Sequence, residues 1–425
     1  MTMNNIKTKP ELLAPAGNFT KMKTAFMYGA DAVYMGGHFF SLRSQAGNFS
    51  SDEMREAVKL ANSLGKKIYI TMNIISRDSD LDRIAEYARE LYEIGVHGVI
   101  VADLGTFMLV RETVPKLPVH VSTQANNLNW RTIKFWLDNG AVRVNLAREL
   151  SLEEIKGIND NLINNCESVK NGNNGEPYLE AFVHGAMCMS FSGRCMLSDY
   201  MAGRSSNRGD CAQPCRWNYY VSEERRPGEY IQVEDNERGT FIFNSKDLCM
   251  AEYLPELMET GVGSLKIEGR MKSEFYTAVT VRAYRIAIDE CFKDPEGYRN
   301  NKELKDEIMR ELCSVSHRDY STGFYLGDKG EQIYTTSSYL RDTDFIGVVE
   351  ETSENEMFLR VKGAFNKGET LEVVVPGVRE IVTVNAEYII NEKGEALERA
   401  ANPMALVKIP SDKRIVPGSV VRRRI

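Results

Sequence analysis

Long apolar segments are absent from this chain of 425 residues. No uninterrupted run reaches the roughly 18 apolar residues that a membrane-spanning helix requires, so we expect no membrane segment. Residues 1–13 contain no apolar core of the kind that a secretion signal needs, so we expect no export. Eight cysteines in a chain without an export signal are expected to stay reduced in the cytoplasm.

An excess of basic charge is absent as well. The chain has 53 lysines and arginines against 60 aspartates and glutamates, which gives a net charge of −7. This balance does not favour nucleic-acid binding in general, so an RNA contact would need a local basic surface. The five histidines form no HExxH motif, and no nucleophile and base stand in a convincing pair, so a hydrolytic site is not evident.

Short apolar segments alternate with amphipathic stretches through residues 11–292. The strand candidates are Glu11–Gly17, Ala30–Gly37, Lys66–Ile74, Gly98–Asp103, Val119–Asn127, Val142–Leu150, Tyr178–Met187 and Gly263–Arg270. Eight strand–helix units predict parallel strands and an α/β fold, a TIM-like (β/α)8 barrel. A doubly wound open sheet is the alternative, and the number of units favours closure.

The pattern divides the chain into parts of different character. Residues 1–295 form the predicted barrel, with an insertion of about 188–241 after the seventh strand. The polar middle of this insertion, 223–239, suggests a small hairpin or a lid. Residues 296–343 read as a connection of helices and loops. Alternating apolar residues and Gly or Pro turns over 344–425 predict a small C-terminal antiparallel β-barrel.

Four of the eight cysteines, Cys188, Cys195, Cys211 and Cys215, lie in one segment rich in small and polar residues. Such a segment buries little apolar surface, so a bound group is the natural source of its shape. Structural zinc sites usually have closer cysteine pairs than the C-x6-C and C-x3-C spacings found here. The irregular spacing favours an iron–sulfur cluster of the 4Fe-4S type, with zinc and unligated thiols as the alternatives.

Polar residues at the carboxyl ends of barrel strands usually point into an active site. This rule selects Asn73, Asp103, Gln124, Asn126, Arg148, Glu149, His184, Lys266, Glu268 and Arg270. Lys266, Glu268 and Arg270 alternate along one strand and therefore share a face, which makes them candidate catalytic residues. His184 is a candidate general base. The alternatives are a salt-bridge network inside the barrel and a structural histidine.

Five residues, three of them among the strand-end residues just named, are candidates for substrate binding. Gln124 and Asn126 carry neutral amides that suit the recognition of a base or a carboxylate, or hydrogen bonding within the barrel. Arg148 could bind an anionic substrate, or pair with Glu149 or Glu268. Lys246 and Asp247 follow the insertion and are expected to shape the loop around the cluster.

Basic and aromatic residues near the cysteines could contact RNA. The arginines are Arg194, Arg204, Arg208 and Arg216, with Arg422–Arg424 at the end of the C-terminal module, and the aromatic residues are Trp217, Tyr219 and Tyr220. Arginines neutralise phosphates and aromatic rings stack on bases, although charge runs are usually solvated faces and aromatic residues usually pack in cores.

Six segments carry a resemblance to a known family. They are ELLAPAG (11–17), GADAVYMGG (29–37), VHGAMCMSFSGRC (183–195), RGDCAQPCRW (208–217), NSKDL (244–248) and LKIEGR (265–270). These motifs resemble those of the collagenase-like peptidases, family thirty-two of the peptidases with unassigned mechanism. The resemblance extends over nearly the whole chain and is greatest to the TrhP-type branch, which hydroxylates tRNA.

The resemblance implies 5-hydroxyuridine formation at the wobble position of tRNA, with prephenate as the probable small anionic co-substrate. It also implies a 4Fe-4S cluster on Cys188, Cys195, Cys211 and Cys215, although Cys249 could replace Cys215 as the fourth ligand. Sister branches of the family imply two alternative reactions, hydroxylation of ribosomal RNA or of a quinone precursor. In either reaction the chain could act as one subunit together with a paralogue or with a second copy of itself. The peptidase label implies a metal-dependent protease as a further alternative.

Overall fold

The computed structural model of the chain describes residues 6, 8–42, 48–188, 190–217, 221–222, 230–231, 245–327, 340–413 and 415–425. Within these residues, eight parallel strands pair in a closed ring. Numbered in chain order, they are β1 (Glu11–Ala16), β2 (Ala32–Gly36), β3 (Lys67–Met72), β4 (Gly98–Val101), β5 (Val119–Val121), β6 (Arg143–Asn145), β7 (Leu179–Ala186) and β11 (Ser264–Ile267). Pairing of β11 with both β7 and β1 closes the ring and confirms the predicted TIM-like barrel.

Helices surround this ring. They are α1 (Phe19–Met27), α2 (Ser51–Ser63), α3 (Leu81–Ile94), α4 (Leu104–Thr113), α5 (Trp130–Asp138), α6 (Leu152–Asn165), α7 (Glu167–Lys170), α9 (Leu254–Glu259) and α10 (Glu274–Lys293), with the short α8 (Leu197–Ala202) in the insertion. Local sequence explains where several begin. Ser151 and Glu154 form a capping box at the start of α6, and Ser50 and Glu53 form another at α2.

Two predicted strands end earlier than their apolar pattern. The strand expected over 119–127 ends at Val121, and the one expected over 142–150 ends at Asn145. After β5, the Ser122 hydroxyl accepts a hydrogen bond from the Gln124 N–H and begins a 3-10 turn. The polar residues beyond these points therefore lie on loops above the barrel.

Three further pairings follow β7. Strand β10 (Asp247–Cys249) runs antiparallel to the end of β7 and parallel to β12 (Tyr320–Ser321). Two short segments of the insertion, β8 (Val221–Ser222) and β9 (Tyr230–Ile231), form an antiparallel pair. Most of residues 223–239 and the expected end of the insertion near 241 lie outside the described residues. Cys249 is the last residue of β10.

Helices α11 (Pro295–Asn300) and α12 (Lys302–Cys313) lead to the C-terminal module. Its strands are β13 (Thr343–Thr352), β14 (Glu356–Val361), β15 (Phe365–Asn366), β16 (Thr370–Val374), β17 (Val382–Asn385), β18 (Ile390–Asn391), β19 (Arg399–Ala400), β20 (Leu406–Pro410) and β21 (Val420–Arg424). Seven of these form an antiparallel sheet in the order β17-β16-β21-β13-β14-β20-β18, and β15 pairs with β19. Across the described residues the sheet curves into a half-barrel, which confirms the predicted small antiparallel β module.

The C-terminal module packs on the barrel through buried polar contacts. The Tyr28 hydroxyl of α1 donates to the Val374 carbonyl at 2.7 Å and accepts from the Val420 N–H at 3.0 Å. Arg422 is fully buried and pairs with Glu311 of α12 at 2.6 Å. Neighbouring Arg423 and Arg424 also have carboxylate partners. Arg422 therefore joins two parts of the protein, and the carboxylate partners of all three tail arginines give no support to the expected phosphate contacts.

The floor of the barrel holds a charged network that sequence analysis did not identify. Arg143 is 0% exposed, and its guanidinium lies 2.6 Å from Glu11 and 3.2 Å from Glu180. The Glu180 carboxylate also accepts from Lys266 at 2.8 Å. Because buried charges require partners, this network keeps all four groups inside the barrel. It supports the salt-bridge interpretation of Lys266 without removing that residue from the site above.

No helix in the described part of the chain combines the length and apolar character needed to cross a bilayer.

Candidate functional site: a cavity that joins the barrel mouth to the cysteine segment

A cavity of about 180 Å³ lies at the carboxyl ends of the barrel strands, under the segment that carries the cysteines. The barrel contributes Tyr34, Thr71, Asn73, Ile100, Ser122, Thr123, Gln124, Asn145, Arg148, Phe182, Lys266, Glu268 and Arg270. The insertion contributes all four predicted cysteine ligands, Cys188, Cys195, Cys211 and Cys215. Two regions far apart in sequence therefore line the same cavity.

Three cationic side chains occupy the barrel side of this cavity. The Lys266 ammonium lies 4.6 Å from the centre of the Tyr34 ring and bonds to buried Glu180. The Arg148 guanidinium lies 3.9 Å from the Phe182 ring centre, and its Nη2 is 3.7 Å from a Glu268 oxygen. Rings hold such cations through the negative charge of their faces while leaving the charge available to a ligand.

Arg270 reaches across the barrel and is 3% exposed. It donates from Nη1 to the Thr71 hydroxyl at 3.0 Å and from Nη2 to the Ser41 hydroxyl at 2.8 Å. These hydroxyl partners help to position the guanidinium. Three cations and the single carboxylate of Glu268 thus make up the charged lining in the described residues, an arrangement that suits an anionic ligand.

The two candidate base-recognition amides are placed differently. Gln124 lines the cavity, and its Oε1 accepts from Asn73 at 2.9 Å and from the Ser122 hydroxyl at 3.3 Å. Asn126 has a left-handed backbone (φ 57°) and does not belong to the cavity lining. The structure therefore brings Gln124 to the candidate site and leaves Asn126 outside it.

The cysteine segment is anchored to the barrel by specific polar contacts. Glu149, which follows β6, accepts from the Ser192 N–H at 2.5 Å and from the Ser192 hydroxyl at 2.6 Å. Arg194 donates to the Gln124 carbonyl at 2.6 Å, and Arg208 pairs with Asp80 at 2.8 Å. These contacts explain how a segment with few apolar residues stays over the barrel mouth.

Two of the four cysteine sulfurs accept backbone N–H groups. The Leu197 N–H lies 3.3 Å from the Cys195 sulfur, and the Gln213 N–H lies 3.4 Å from the Cys211 sulfur. Such contacts stabilise thiolates that bind metal. Among the described residues, no three or more histidine, cysteine, aspartate or glutamate side chains are arranged to hold a metal ion. Four thiols lining one cavity, two with N–H donors, nevertheless fit the ligand chemistry of an iron–sulfur cluster.

Cys249 lies in a different environment. It is buried, its sulfur contacts the Tyr284 hydroxyl at 3.7 Å and the Met309 sulfur at 3.8 Å, and it does not line the cavity. Burial raises the pKa of its thiol to about 12, which disfavours the thiolate needed for metal binding. The cavity thus favours Cys215 over Cys249 as the fourth ligand.

His184 does not reach the cavity. It is 1% exposed and packs with the rings of Tyr276, Tyr284 and Tyr320, whose centres lie 6.0, 5.4 and 5.3 Å away. Burial lowers its pKa to about 3, so it is neutral at physiological pH. The pairing of β7 with β11 shifts register between Phe182 and His184. This placement gives no support to the predicted role as a general base.

The residues after the insertion are also displaced from the candidate site. Asp247 is buried and pairs with Arg318 at 2.6 Å, so its carboxylate is committed to a structural contact. Lys246 precedes β10 and does not line the cavity. Asp103 caps α4 by accepting from the Thr106 N–H at 2.9 Å. The substrate-binding roles expected for Asp247 and Lys246 therefore gain no support from the structure.

The predicted RNA-contacting arginines of the insertion are largely paired within the chain. Arg204 lies 2.6 Å from Asp210, and Arg208 pairs with Asp80 as described above. The side chain of Arg216 and all of Tyr219 and Tyr220 lie outside the described residues, whereas Trp217 is 41% exposed. A basic surface for RNA does not emerge from the described part of this segment.

Asn145 is a cavity residue that the sequence analysis missed. It ends β6, is 2% exposed, and its Oδ1 has no hydrogen-bond partner among the described residues. The strand pattern of Val142–Leu150 contained the signal, because Asn145 is a polar residue inside an apolar strand two positions after Arg143.

Models of known families match almost the whole chain. The model described as "Peptidase family U32" matches residues 17–335, and "Peptidase family U32 C-terminal domain" matches residues 341–422. This chain belongs to peptidase family U32. The two U32 matches meet between the barrel with its connecting segment and the C-terminal sheet.

U32 relatives with curated names are similar over most of the chain. "tRNA hydroxylation protein P1" of Bacillus subtilis is 38% identical, over 98% of this chain and 96% of that protein. "tRNA hydroxylation protein P" of Escherichia coli is 36% identical, over 95% and 94%. "23S rRNA 5-hydroxycytidine C2501 synthase" of Escherichia coli is 34% identical over 89% of this chain, which spans 54% of that longer protein.

Proposed function

We propose that this U32 protein is an RNA-modifying enzyme that hydroxylates carbon 5 of a uridine in tRNA, at the wobble position. The names of the relatives support RNA hydroxylation as the reaction class. The observation that carries the proposal is the single cavity in which four cysteines of the insertion face three cations of the barrel. A redox group and a small anionic co-substrate could thus be held side by side.

Cys188, Cys195, Cys211 and Cys215 would hold the proposed 4Fe-4S cluster. When bound, such a cluster would supply electron-transfer chemistry next to the cavity. The Leu197 N–H would stabilise the thiolate of Cys195 by donating a hydrogen bond to its sulfur. Glu149 would keep the segment in position through Ser192.

Lys266, Arg148 and Arg270 would bind the carboxylates of the anionic co-substrate, for which prephenate is the proposed compound. Arg148 and Arg270 can each form paired hydrogen bonds with a carboxylate, and the buried surroundings strengthen those bonds. Glu268 lies 3.3 Å from the Tyr34 hydroxyl and 3.7 Å from Arg148, so it limits the excess of positive charge.

Gln124 would read the target base at the cavity mouth. A base inside a stem or loop must leave its stack to be modified, and pockets for such bases read the pyrimidine edge with amides. Asn73 and Ser122 bond to Gln124 Oε1 and so fix the orientation of its amide. The amide nitrogen then remains directed away from those two partners and available as a donor.

A nucleoside analysis tests the proposed reaction. In a strain that lacks the gene and any paralogue, mass spectrometry of bulk tRNA should show loss of 5-hydroxyuridine and its derivatives. A plasmid copy should restore them, and an Arg148→Met copy should not. Arg360→Met is the matched control, because Arg360 pairs with Glu350 on the distant C-terminal sheet. Unchanged 5-hydroxyuridine derivatives in the deletion strain would refute the proposal.

Metal analysis tests the proposed cluster separately. Protein purified without oxygen should contain iron and labile sulfide. It should absorb light at about 400 nm, as [4Fe–4S] proteins do. Serine at any of the four cavity cysteines should lower the iron content, and Cys249→Ser should leave it unchanged. Colourless wild-type protein without iron would remove the cluster from the proposal while leaving the nucleoside result interpretable.

Peptidase activity is not favoured by this geometry. The described cavity lining contains serines but no histidine, and buried His184 lies elsewhere. Incubation with denatured collagen, with and without chelator, provides the direct comparison, and turnover that Arg148→Met abolishes would favour a protease instead.

A further inference from the structure

Asn145 and Arg148 present two buried polar atoms to the cavity without partners. Asn145 Oδ1 and Arg148 Nε are both buried, and neither has a hydrogen-bond partner among the described residues. Asn145 itself is 2% exposed. Buried acceptors and donors are almost always paired in folded proteins, so an unpaired atom in a cavity points to a ligand that completes it.

The two atoms have opposite hydrogen-bonding character. Arg148 Nε is a charged donor, and Asn145 Oδ1 is a neutral acceptor that needs a donor from the ligand. The ligand must therefore carry both an anionic acceptor and a hydrogen-bond donor.

Asn145 also lies near the inner end of the cavity. It stands beside Glu180 in the strand register, and Glu180 bonds to Lys266 at 2.8 Å. Gln124, in contrast, lies on the turn after β5, under Arg194 of the insertion. A base that enters from RNA would meet the turn first, so Asn145 is placed for the small molecule that sits deeper.

We propose that Asn145 is a specificity-determining residue that accepts a hydrogen bond from a hydroxyl group of the anionic co-substrate, while Arg148 Nε donates to a carboxylate of the same molecule. The site would thereby select hydroxylated carboxylates over carboxylates of the same shape without the hydroxyl. This inference rests on the proposed function, in which the cavity binds an anionic co-substrate.

Binding measurements on the full-length holoprotein under anaerobic conditions test this directly. The probes are prephenate, which carries one ring hydroxyl, and its 4-deoxy analogue. Wild-type protein should bind prephenate about ten- to hundredfold more tightly, because the analogue would leave the Asn145 acceptor buried and unpaired. In Asn145→Leu, which is similar in size but apolar, the two dissociation constants should differ by no more than about twofold.

Thr123→Val is the matched control for this experiment. Thr123 lines the same cavity, but its hydroxyl already donates to the Leu146 carbonyl at 2.9 Å within the chain. This variant should keep the preference for prephenate. Asn145→Ala provides a second substitution should the leucine variant not fold, and iron content with circular dichroism verifies that each variant is intact.

The outcomes separate this inference from the proposed function. Equal binding of both probes by wild-type protein, or an undiminished preference in both Asn145 variants, would overturn the role of Asn145 alone. An Asn145 variant that binds both probes like wild type but has lost affinity for tRNA would also overturn it, in favour of base recognition. If neither probe binds to wild-type holoprotein, the anionic co-substrate of the proposed function fails with it.

Discussion

Gly36 and Arg270 illustrate how closely individual residues are fitted around the cavity. A Cβ atom added at Gly36, at the end of β2, would lie 2.7 Å from Arg270 Nη1 and 2.9 Å from the Ser41 hydroxyl. Both of these groups belong to the hydrogen-bonded set that positions the buried guanidinium. The observed position of the Arg270 side chain therefore requires a glycine at residue 36.

Gly36→Ala is expected to displace Arg270 and to weaken both folding and co-substrate binding. Overpacking of this kind costs about 1–3 kcal/mol of unfolding free energy. Denaturant titration and anaerobic calorimetry with prephenate would measure the two effects. Gly157→Ala is the control, because nothing lies within 4 Å of a Cβ there and alanine favours the α6 helix. Equal stability of Gly36→Ala and wild type would contradict the tight fit.

His184 gives the folded protein a defined acid sensitivity. Burial lowers its pKa from 6.5 to about 3, so below pH 6.5 the unfolded chain binds a proton that the folded protein does not. This contribution to stability is fully present above pH 6.5 and is lost as the pH falls toward about 3. Between pH 7 and pH 5 the loss should be about 2 kcal/mol.

His184→Asn should remove this part of the pH dependence. Urea titrations at pH 7 and pH 5 would measure it as a smaller difference in unfolding free energy for the variant than for wild type. The comparison within each protein cancels any constant cost of the substitution. The same difference in both proteins would show that His184 is not buried as a neutral group.

At the scale of elements, the cysteine segment depends on its anchors. It packs through short helical turns and polar contacts, and Glu149 receives two hydrogen bonds from Ser192. Hydrogen bonds to a carboxylate are about twice as strong as hydrogen bonds between neutral groups. The two bonds to Glu149 therefore stabilise the segment more than two neutral hydrogen bonds would. The segment's position therefore depends on a residue that contacts neither proposed ligand.

Glu149→Ala should loosen the segment while the barrel stays folded. Loss of the two charge-assisted bonds is expected to cost about 2–3 kcal/mol of local opening free energy. Hydrogen exchange at the Ser192 amide should accelerate by about 30- to 150-fold, and exchange in β3 should not change. Glu153→Ala, in the first turn of α6, is the control because Glu153 does not contact the segment. Unaltered exchange at Ser192 would contradict the anchoring role.

At the scale of the whole molecule, Glu311 connects the barrel to the C-terminal sheet. Its carboxylate pairs with Arg422 of β21 at 2.6 Å and with Arg282 of α10 at 3.3 Å, and all three residues are buried. A buried carboxylate between two arginines makes both of their positions depend on it. The two parts are therefore expected to unfold together.

Glu311→Gln is expected to lower the unfolding free energy by about 3–5 kcal/mol, because it leaves buried Arg282 without a carboxylate partner and Arg422 with Glu372 alone. Calorimetry should then show the C-terminal sheet melting before the barrel, as two transitions. Glu398→Gln serves as the control, since Glu398 forms an exposed pair with Lys367 that contributes about 0–1 kcal/mol. A single unshifted transition in Glu311→Gln would refute the coupling.

The sequence by itself determined the barrel and the residues of its mouth. Eight apolar segments separated by amphipathic stretches predicted the closed ring, because parallel strands must bury both faces and their helices must bury one. The alternation of Lys266, Glu268 and Arg270 predicted that the three share one side of this segment, and all three line the cavity although β11 ends at Ile267. Period-two and period-3.6 patterns are local, so they can be recognised without knowledge of the fold.

Only the tertiary structure decided which polar residues share the cavity. His184 packs with three tyrosines, and the carboxylate of Asp247 pairs with Arg318, 71 residues further along the chain. Asn145 is a polar residue in an apolar strand like many others, and its unpaired oxygen becomes visible only when its neighbours are known. Whether a charged side chain stabilises the fold or binds a ligand depends on partners that lie far apart in sequence. The spacing of residues along the chain does not predict those partners.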